Sequence, residues 1–282
     1  MNDAQEKKKA IVAAYFGQVA PEYDRVGPQF FATMGQRLAS LARLRPGETV
    51  LDVATGRGAA LFPAAERVGP EGKVIGIDLA PAMIQETSKA VEERKLTQVQ
   101  LLTMDAERLA FPDASFDAVL CGFALFFFPQ LQRALAEFKR VLKRADRRAH
   151  QAGGRVVVST WGPPDPGWEW YDDLLKIYGI KPIPLVTDPL EQPSALKNAL
   201  RQAGFSELEV RPEVVDVVYA DEEEWWARQL AQGTRLMLAG MAPETLERFK
   251  ADVFKHLQTH KRRDGIHRQT RVNFGMGVRP AG

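Results

Sequence analysis

Apolar positions recur at helical spacing over residues 4–18, where Ile11, Val12, Tyr15, Phe16 and Val19 fall on one face. Pro21 breaks this run, and a second helical stretch over about 29–44 ends at Arg45-Pro46-Gly47. The period then changes. Short apolar runs at 49–54, 73–78, 99–103, 116–121 and 154–160 predict strands, and helical patterns at 58–68, 81–95 and 130–148 lie between them. Pro81 suits the first turn of its helix. This alternation predicts a parallel, doubly wound α/β sheet with right-handed crossovers. The run Phe116 to Cys121 is mostly apolar, as expected of a central strand covered on both faces.

After residue 160 the pattern loosens. Prolines from Pro163 to Pro193 punctuate a stretch that reads as irregular and is rich in aromatic residues. A helix near 194–203 stops at Ala203-Gly204, and 207–218 reads as a strand that Pro212 could interrupt. Helical patterns at about 221–238 and 244–261 follow, and His267 to Val278 reads as a last strand.

The densest chemistry lies in Val50-Leu-Asp-Val-Ala-Thr-Gly-Arg-Gly58 and Val74-Ile-Gly-Ile-Asp78. This is a strand, a glycine turn, a helix start and a second strand ending in an acid. Gly56 and Gly58 let backbone approach a ligand closely. Asp78 stands where open α/β sheets place an acid against a ribose. A dinucleotide fingerprint needs a third glycine, but Leu61 occupies that position. Asp52, just before the turn, would repel a pyrophosphate and suits a cationic ligand. S-adenosylmethionine, with a sulfonium and an ammonium beside an adenosine, meets these terms better than a nicotinamide dinucleotide.

Composition narrows the class. The 282 residues can bury a full core, and 38 basic against 36 acidic side chains give no field for nucleic acid or an anionic membrane. The tract Lys143 to His150 reads as a solvated helix end. The single cysteine, Cys121, forms no intramolecular disulfide and reads as a buried small hydrophobe. No secretory apolar segment opens the chain and no apolar run approaches about 18 residues, so a cytoplasmic protein without membrane insertion is expected. Oligomeric state is not legible.

In order along the chain, these residues resemble the class I S-adenosylmethionine-dependent methyltransferases. They are most similar to the ubiquinone and menaquinone biosynthesis C-methyltransferase type and its small-molecule relatives. Phe16 to Asp24 is similar to the family's N-terminal closing segment, Val50 to Gly58 to its first motif, and Ile77 to Met83 to its ribose segment. Met104-Asp-Ala-Glu107, with Phe111-Pro112 and Ser115-Phe-Asp117, is similar to its adenine-side motif, and Arg140 to Lys143 and Gly153 to Val158 flank the fifth strand. The resemblance covers residues 12–160 well and the remainder loosely.

It implies a Rossmann-like, mostly parallel seven-stranded sheet. It also implies a helical cover over 1–45, a cofactor-binding core over 46–160, and a substrate-side insertion with the last helices and strands over 161–282. Asp78 would bind the ribose hydroxyls, and Asp105 with the Ala106 backbone the adenine amine. Ala54, Gly56, Gly58 and the backbone around Cys121, Gly122 and Phe123 would face the methionine end, with Asp52 supplying charge. Leu79 and Met83 would pack on the adenosine, while Tyr15 and Tyr23 close over the site, Tyr23 being the catalytic candidate. The family usually links Lys143 to Gly153 by a single proline, whereas a charged loop, Arg144 to Ala152, stands here.

Methyl transfer from a sulfonium is an in-line displacement, so the protein chiefly aligns the reactants and excludes water. The substrate side is read from aromatic residues: Phe126 and Phe127 in the run Phe123 to Pro129, then Trp161, Trp168 and Tyr171. An apolar wall of this kind suits a small, aromatic or low-polarity acceptor, methylated on carbon, oxygen or nitrogen. No metal is expected, although His256 and His260 share a helix face. Two other readings stay open at this stage: an inactive cofactor-binding scaffold and a nicotinamide-dependent oxidoreductase.

Overall fold

The computed structural model of the chain describes residues 3–145, 153–181, 190–232 and 234–281. Two helices, α1 (Asp3–Val19) and α2 (Phe30–Leu41), precede the sheet. The core then alternates β1 (Thr49–Val53), α3 (Leu61–Val68), β2 (Lys73–Asp78), α4 (Pro81–Glu93), β3 (Val99–Thr103), β4 (Ala118–Gly122), α5 (Leu131–Val141) and β5 (Arg155–Trp161). After it come α6 (Glu169–Ile177), α7 (Pro193–Gln202), β6 (Ser206–Tyr219), α8 (Glu222–Ala231), α9 (Thr234–Leu238), α10 (Pro243–Leu257), β7 (Lys261–Arg262) and β8 (Gly265–Val278).

The strands run in the order β3-β2-β1-β4-β5-β8-β6, and the two-residue β7 pairs only with β8. The first five are parallel, and β8 is antiparallel to both β5 and β6. The expected mostly parallel, doubly wound sheet is therefore present, with seven strands on its path. Strand order reverses between β1 and β4, which opens a crevice at their C-terminal ends.

Two apolar layers sandwich the sheet. Val50 packs in the layer with Leu38 and Leu61, whereas its neighbour Leu51 packs in the other with Leu135 and Phe138. Successive strand residues point to opposite faces, so a strand buried on both must be apolar throughout. Each such side chain contributes about 1.5–3 kcal/mol by leaving water. At Gly35 a Cβ would lie 2.0 Å from the Ala59 carbonyl oxygen. Only a glycine lets α2 pack directly on the turn after β1.

The structure departs from the sequence expectations at several places. The fifth helix ends at Val141 rather than near 148, because Leu142 is extended and bridges to Phe116, and Lys143 pairs with Asp117 at 2.8 Å. Residues 146–152 of the charged loop lie outside the described residues. The proline-rich stretch read as irregular contains α6, and its prolines 182, 184 and 189 also lie outside the described residues. β6 runs unbroken past Pro212, since it is the sheet's edge strand and a missing N–H there can face away from β8. Helical spacing groups Ile11 with the apolar face of α1, but it is 51% exposed; the packed line is Lys9, Val12, Phe16 and Val19.

Candidate active site

The chain leaves β1 through a strained turn. Ala54 sits at φ 53°, and Phe123, just after β4, at φ 52°. Left-handed backbone costs a residue with a Cβ about 1–2 kcal/mol, and both positions border the same cavity. Gly58 has φ +82°, and a Cβ there would come within 2.5 Å of the Phe62 ring. That glycine is required both by its backbone angle and by space.

Asp78 fastens this turn to the next one. Its Oδ2 accepts the Gly56 N–H at 2.9 Å and its Oδ1 accepts the Ala80 N–H at 2.9 Å. The Thr87 hydroxyl donates to the Gly56 carbonyl at 2.7 Å. Burial raises the Asp78 pKa, against the backbone N–H groups that favour its charge. Asp52 is deeper, 2% exposed, and accepts the Thr55 hydroxyl at 2.6 Å. Burial first, and the neighbouring charge of Asp78, push its pKa up to about 7 although Thr55 opposes the shift.

A cavity of about 490 Å³ opens at the C-terminal ends of β1, β2 and β4. Asp78, Leu79, Met83, Asp105 and Ala106 line one side. Ala54, Gly56 and Gly58 border it below, and Gly122, Phe123 and Phe127 opposite. Tyr23 joins from the cover, stacked on Phe31 at 5.2 Å. Its hydroxyl makes no hydrogen bond among the described residues, and burial drives its phenol pKa far up.

The side chains of other predicted residues lie outside this cavity, that of Cys121 as expected of a small buried hydrophobe. Cys121 is wholly buried in the layer of Leu135 and Phe138, since its side chain points to the opposite face from its cavity-lining neighbour Gly122. Burial holds its thiol pKa well up, so it is no nucleophile. Asp52 lies behind the Thr55 turn, on a pocket of about 40 Å³ rather than on the main cavity. Tyr15 does not line this cavity; it is half-buried and its hydroxyl donates to the Gln232 carbonyl at 2.8 Å. Phe126 is core, 2% exposed, because a short loop cannot aim three successive rings one way. Trp168 and Tyr171 line neither large cavity. They build a separate aromatic layer with Trp225, at 6.1 and 5.3 Å between ring centroids. His256 and His260 belong to that layer, stacked on Trp170 and Trp168. Among the described residues no cluster of metal ligands occurs.

Trp161 stacks on Phe30 at 5.4 Å and meets Phe123 at 4.6 Å. With Phe31 these rings form a partition. Beyond it lies a second cavity of about 310 Å³, lined by Trp161, Tyr219, Arg228, Gln232 and Arg268.

Sequence reading missed Lys9. It is 7% exposed, and its ammonium contacts Asp105 at 2.7 Å and Glu107 at 2.6 Å. Burial pulls its pKa down, but hydrogen bonds to both acids outweigh this and raise it. Asp105 Oδ1 also accepts the Glu107 N–H at 2.9 Å, so both its oxygens are already engaged. The available signal was position: Lys9 shares the inner face with Val12 and Phe16, at i+3 and i+7.

A family described as methyltransferase domain matches residues 50–145. The aklanonic acid methyltransferase DauC of Streptomyces sp. (strain C5) is 45% identical over 149 residues, 53% of this chain and 67% of that protein. The nocamycin O-methyltransferase of Saccharothrix syringae is 31% identical over 283 residues, covering 95% of this chain and 98% of its own. In fold the chain is similar to the YcgJ protein from Bacillus subtilis, with a TM-score of 0.60, 19% identity, and 89% and 100% of the two chains covered. No described helix is long and apolar enough to cross a membrane. The cavity at the strand switch point and the end-to-end relationship lead to one conclusion: this chain belongs to the class I S-adenosylmethionine-dependent methyltransferases and is an enzyme that uses that cofactor.

Proposed function

We propose that the enzyme methylates a small aromatic or low-polarity molecule. The observation that carries this reading is the pairing of an acid-lined wall, Asp78 and Asp105, with an aromatic wall of Phe31, Phe123 and Phe127 in one cavity. Both relatives named above are called methyltransferases of small molecules, aklanonic acid and nocamycin, which supports the same acceptor class here.

The residues fit the cofactor. A Cβ at Gly56 would meet nothing within 4 Å, so open space borders the backbone where a ligand needs close approach. Asp78 lines the cavity with acceptor capacity beyond its backbone bonds for the ribose hydroxyls, and Asp105 lines it beside Ala106, on the side proposed for the adenine. Met83 and Leu79 supply apolar wall, and Asp52 stands behind the turn, where burial holds it toward its neutral form until a cationic ligand end lies nearby. When bound, S-adenosylmethionine supplies an electrophilic methyl on a sulfonium. The chain's own part is to align the acceptor and keep water out. Tyr23 and Phe16 from the cover and Phe127 from the core close the site with aromatic surface, Phe16 and Phe127 meeting at 5.2 Å. In this reading residues 1–45 are the cover, 46–160 the cofactor core and 161–282 the acceptor side.

Mass-spectrometric screening of phenols, quinols, aromatic acids and amines with S-adenosylmethionine tests it. A one-methyl mass gain on an aromatic small molecule is expected. Calorimetric binding of NAD in place of S-adenosylhomocysteine, or methylation confined to macromolecules, would refute it.

A further inference from the structure

Arg228 is 6% exposed and carries a charge with no carboxylate partner among the described residues. Arginine is seldom buried without an anion, because its charge loses water and needs a counter-charge. Its neighbours here are neutral. Nε donates to the Pro28 carbonyl at 3.3 Å, and Nη1 to the Gln232 Oε1 at 2.9 Å and the Tyr219 hydroxyl at 3.5 Å. Nη2 makes no hydrogen bond among the described residues. Asp24 feels this charge, but its oxygens accept the N–H groups of Phe31 and Ala32 at 3.3 and 2.9 Å.

A second observation points the same way. Gln232 Nε2 is buried and has no hydrogen-bond partner. Its orientation is set by Arg228, which needs the amide oxygen facing it, so the amide's two N–H donors turn away. Arg228 and Gln232 both line the second cavity, with Trp161 and Tyr219 as aromatic wall. Arg268 and Arg271, also on this cavity, are likewise without carboxylate partners among the described residues: Arg268 lies over the Trp168 ring at 5.0 Å and Arg271 donates to the Pro164 carbonyl at 2.8 Å. The acids on the rim, Asp165 and Glu191, pair with none of the three.

We infer that the second cavity is the acceptor's anchoring subsite and takes an aromatic carboxylate, gripped by Arg228 and the Gln232 amide. This rests on the proposed aromatic acceptor. A guanidinium and an amide presenting adjacent donors match a planar carboxylate, and the rings around them take the aromatic body. The ring partition of Phe30, Phe31, Phe123 and Trp161 stands between this subsite and the first cavity. An acceptor anchored at Arg228 would reach the methyl-transfer position by displacing those rings.

The test is binding, read without turnover. The protein is titrated by calorimetry with benzoate, naphthoate and anthraquinone carboxylate, each beside its neutral carboxamide, with and without S-adenosylhomocysteine. At least one acid should bind about tenfold or more tightly than its amide. Arg228→Gln should erase the preference. Gln232→Glu, a half-buried and nearly isosteric change, should also erase it by supplying Arg228 with an internal carboxylate, and it serves if Arg228→Gln does not fold. If no acid outbinds its amide, or if the preference persists in Gln232→Glu, the inference is overturned. Failure of S-adenosylhomocysteine to bind would instead strike the proposed function, while the cofactor-free titrations still judge the subsite.

Discussion

Asp78 and Asp52 divide the work of a charged site between them. Asp78 is a tether, with each oxygen holding one backbone N–H of a cavity turn. Its replacement by Ala should cost about 2–4 kcal/mol of cofactor affinity, measured by calorimetry, while the fold persists. Unchanged affinity would remove it from the ribose role. Asp52 is a buried acid whose pKa of about 7 stands well above its ordinary value of 3.8. Between those values the folded protein retains a proton that the unfolded chain has released. Stability of the ligand-free enzyme should therefore fall as pH rises from about 4 to about 7, by on the order of 3–4 kcal/mol from this group. Other acids titrate in the same range, so the readout is the difference from Asp52→Asn. That variant should lose this part of the slope and be the more stable protein at pH 8. Parallel melting curves for the two proteins across the window would show that Asp52 is not held protonated.

At the scale of elements, the turn between β1 and α3 and the helix α1 decide whether the cavity exists. Gly58→Ala adds a methyl group against Phe62 at a left-handed backbone angle. A loss of about 1–3 kcal/mol in urea unfolding is expected, together with weaker cofactor binding because the turn must shift. α1 is held over the cavity by Lys9 on Asp105 and Glu107, by Phe16 on Phe127, and by Tyr15 on the Gln232 carbonyl. Glu107 is 1% exposed, and without Lys9 its charge would be left to the Gln130 N–H groups. Deleting residues 1–28 should thus depress turnover far more than it lowers the melting temperature of the sheet core. Cofactor should slow amide exchange in α1 more than in β1 or β4, which are protected already. Equal protection of α1 with and without ligand would contradict its role as a cover.

Across the whole molecule the aromatic residues fall into two populations that composition cannot separate. Phe30, Phe31, Phe123 and Trp161 form the partition between the cavities, while Trp168, Trp170, Tyr171 and Trp225 knit α6 to α8 and α10. Trp168→Ala should lower stability by about 3–5 kcal/mol and leave S-adenosylhomocysteine affinity as it was. A clear loss of cofactor affinity in a folded Trp168→Ala protein would mean that this layer also braces the cofactor cavity.

The alternation of the core, the turn from Ala54 to Gly58 and the acid Asp78 are legible in the chain alone, whereas Asp105 came only with the family resemblance. The first three are written within one strand-turn-helix unit, where apolar period and spacing place side chains directly. Phe126 and Phe127 are read alike as substrate wall, yet Phe126 is buried, while Phe127 lines the cavity and Phe128 both lines it and packs on Phe138. Tertiary structure alone decided which aromatic residues are walls and which are core, and that the strand after Ser206 passes through Pro212. It alone joined Lys9 to Asp105 across 96 positions and Tyr15 to Gln232 across 217. Contacts made over such distances leave no periodic trace in the chain. A buried arginine such as Arg228 reads as one more surface charge until the fold encloses it and leaves it without a partner.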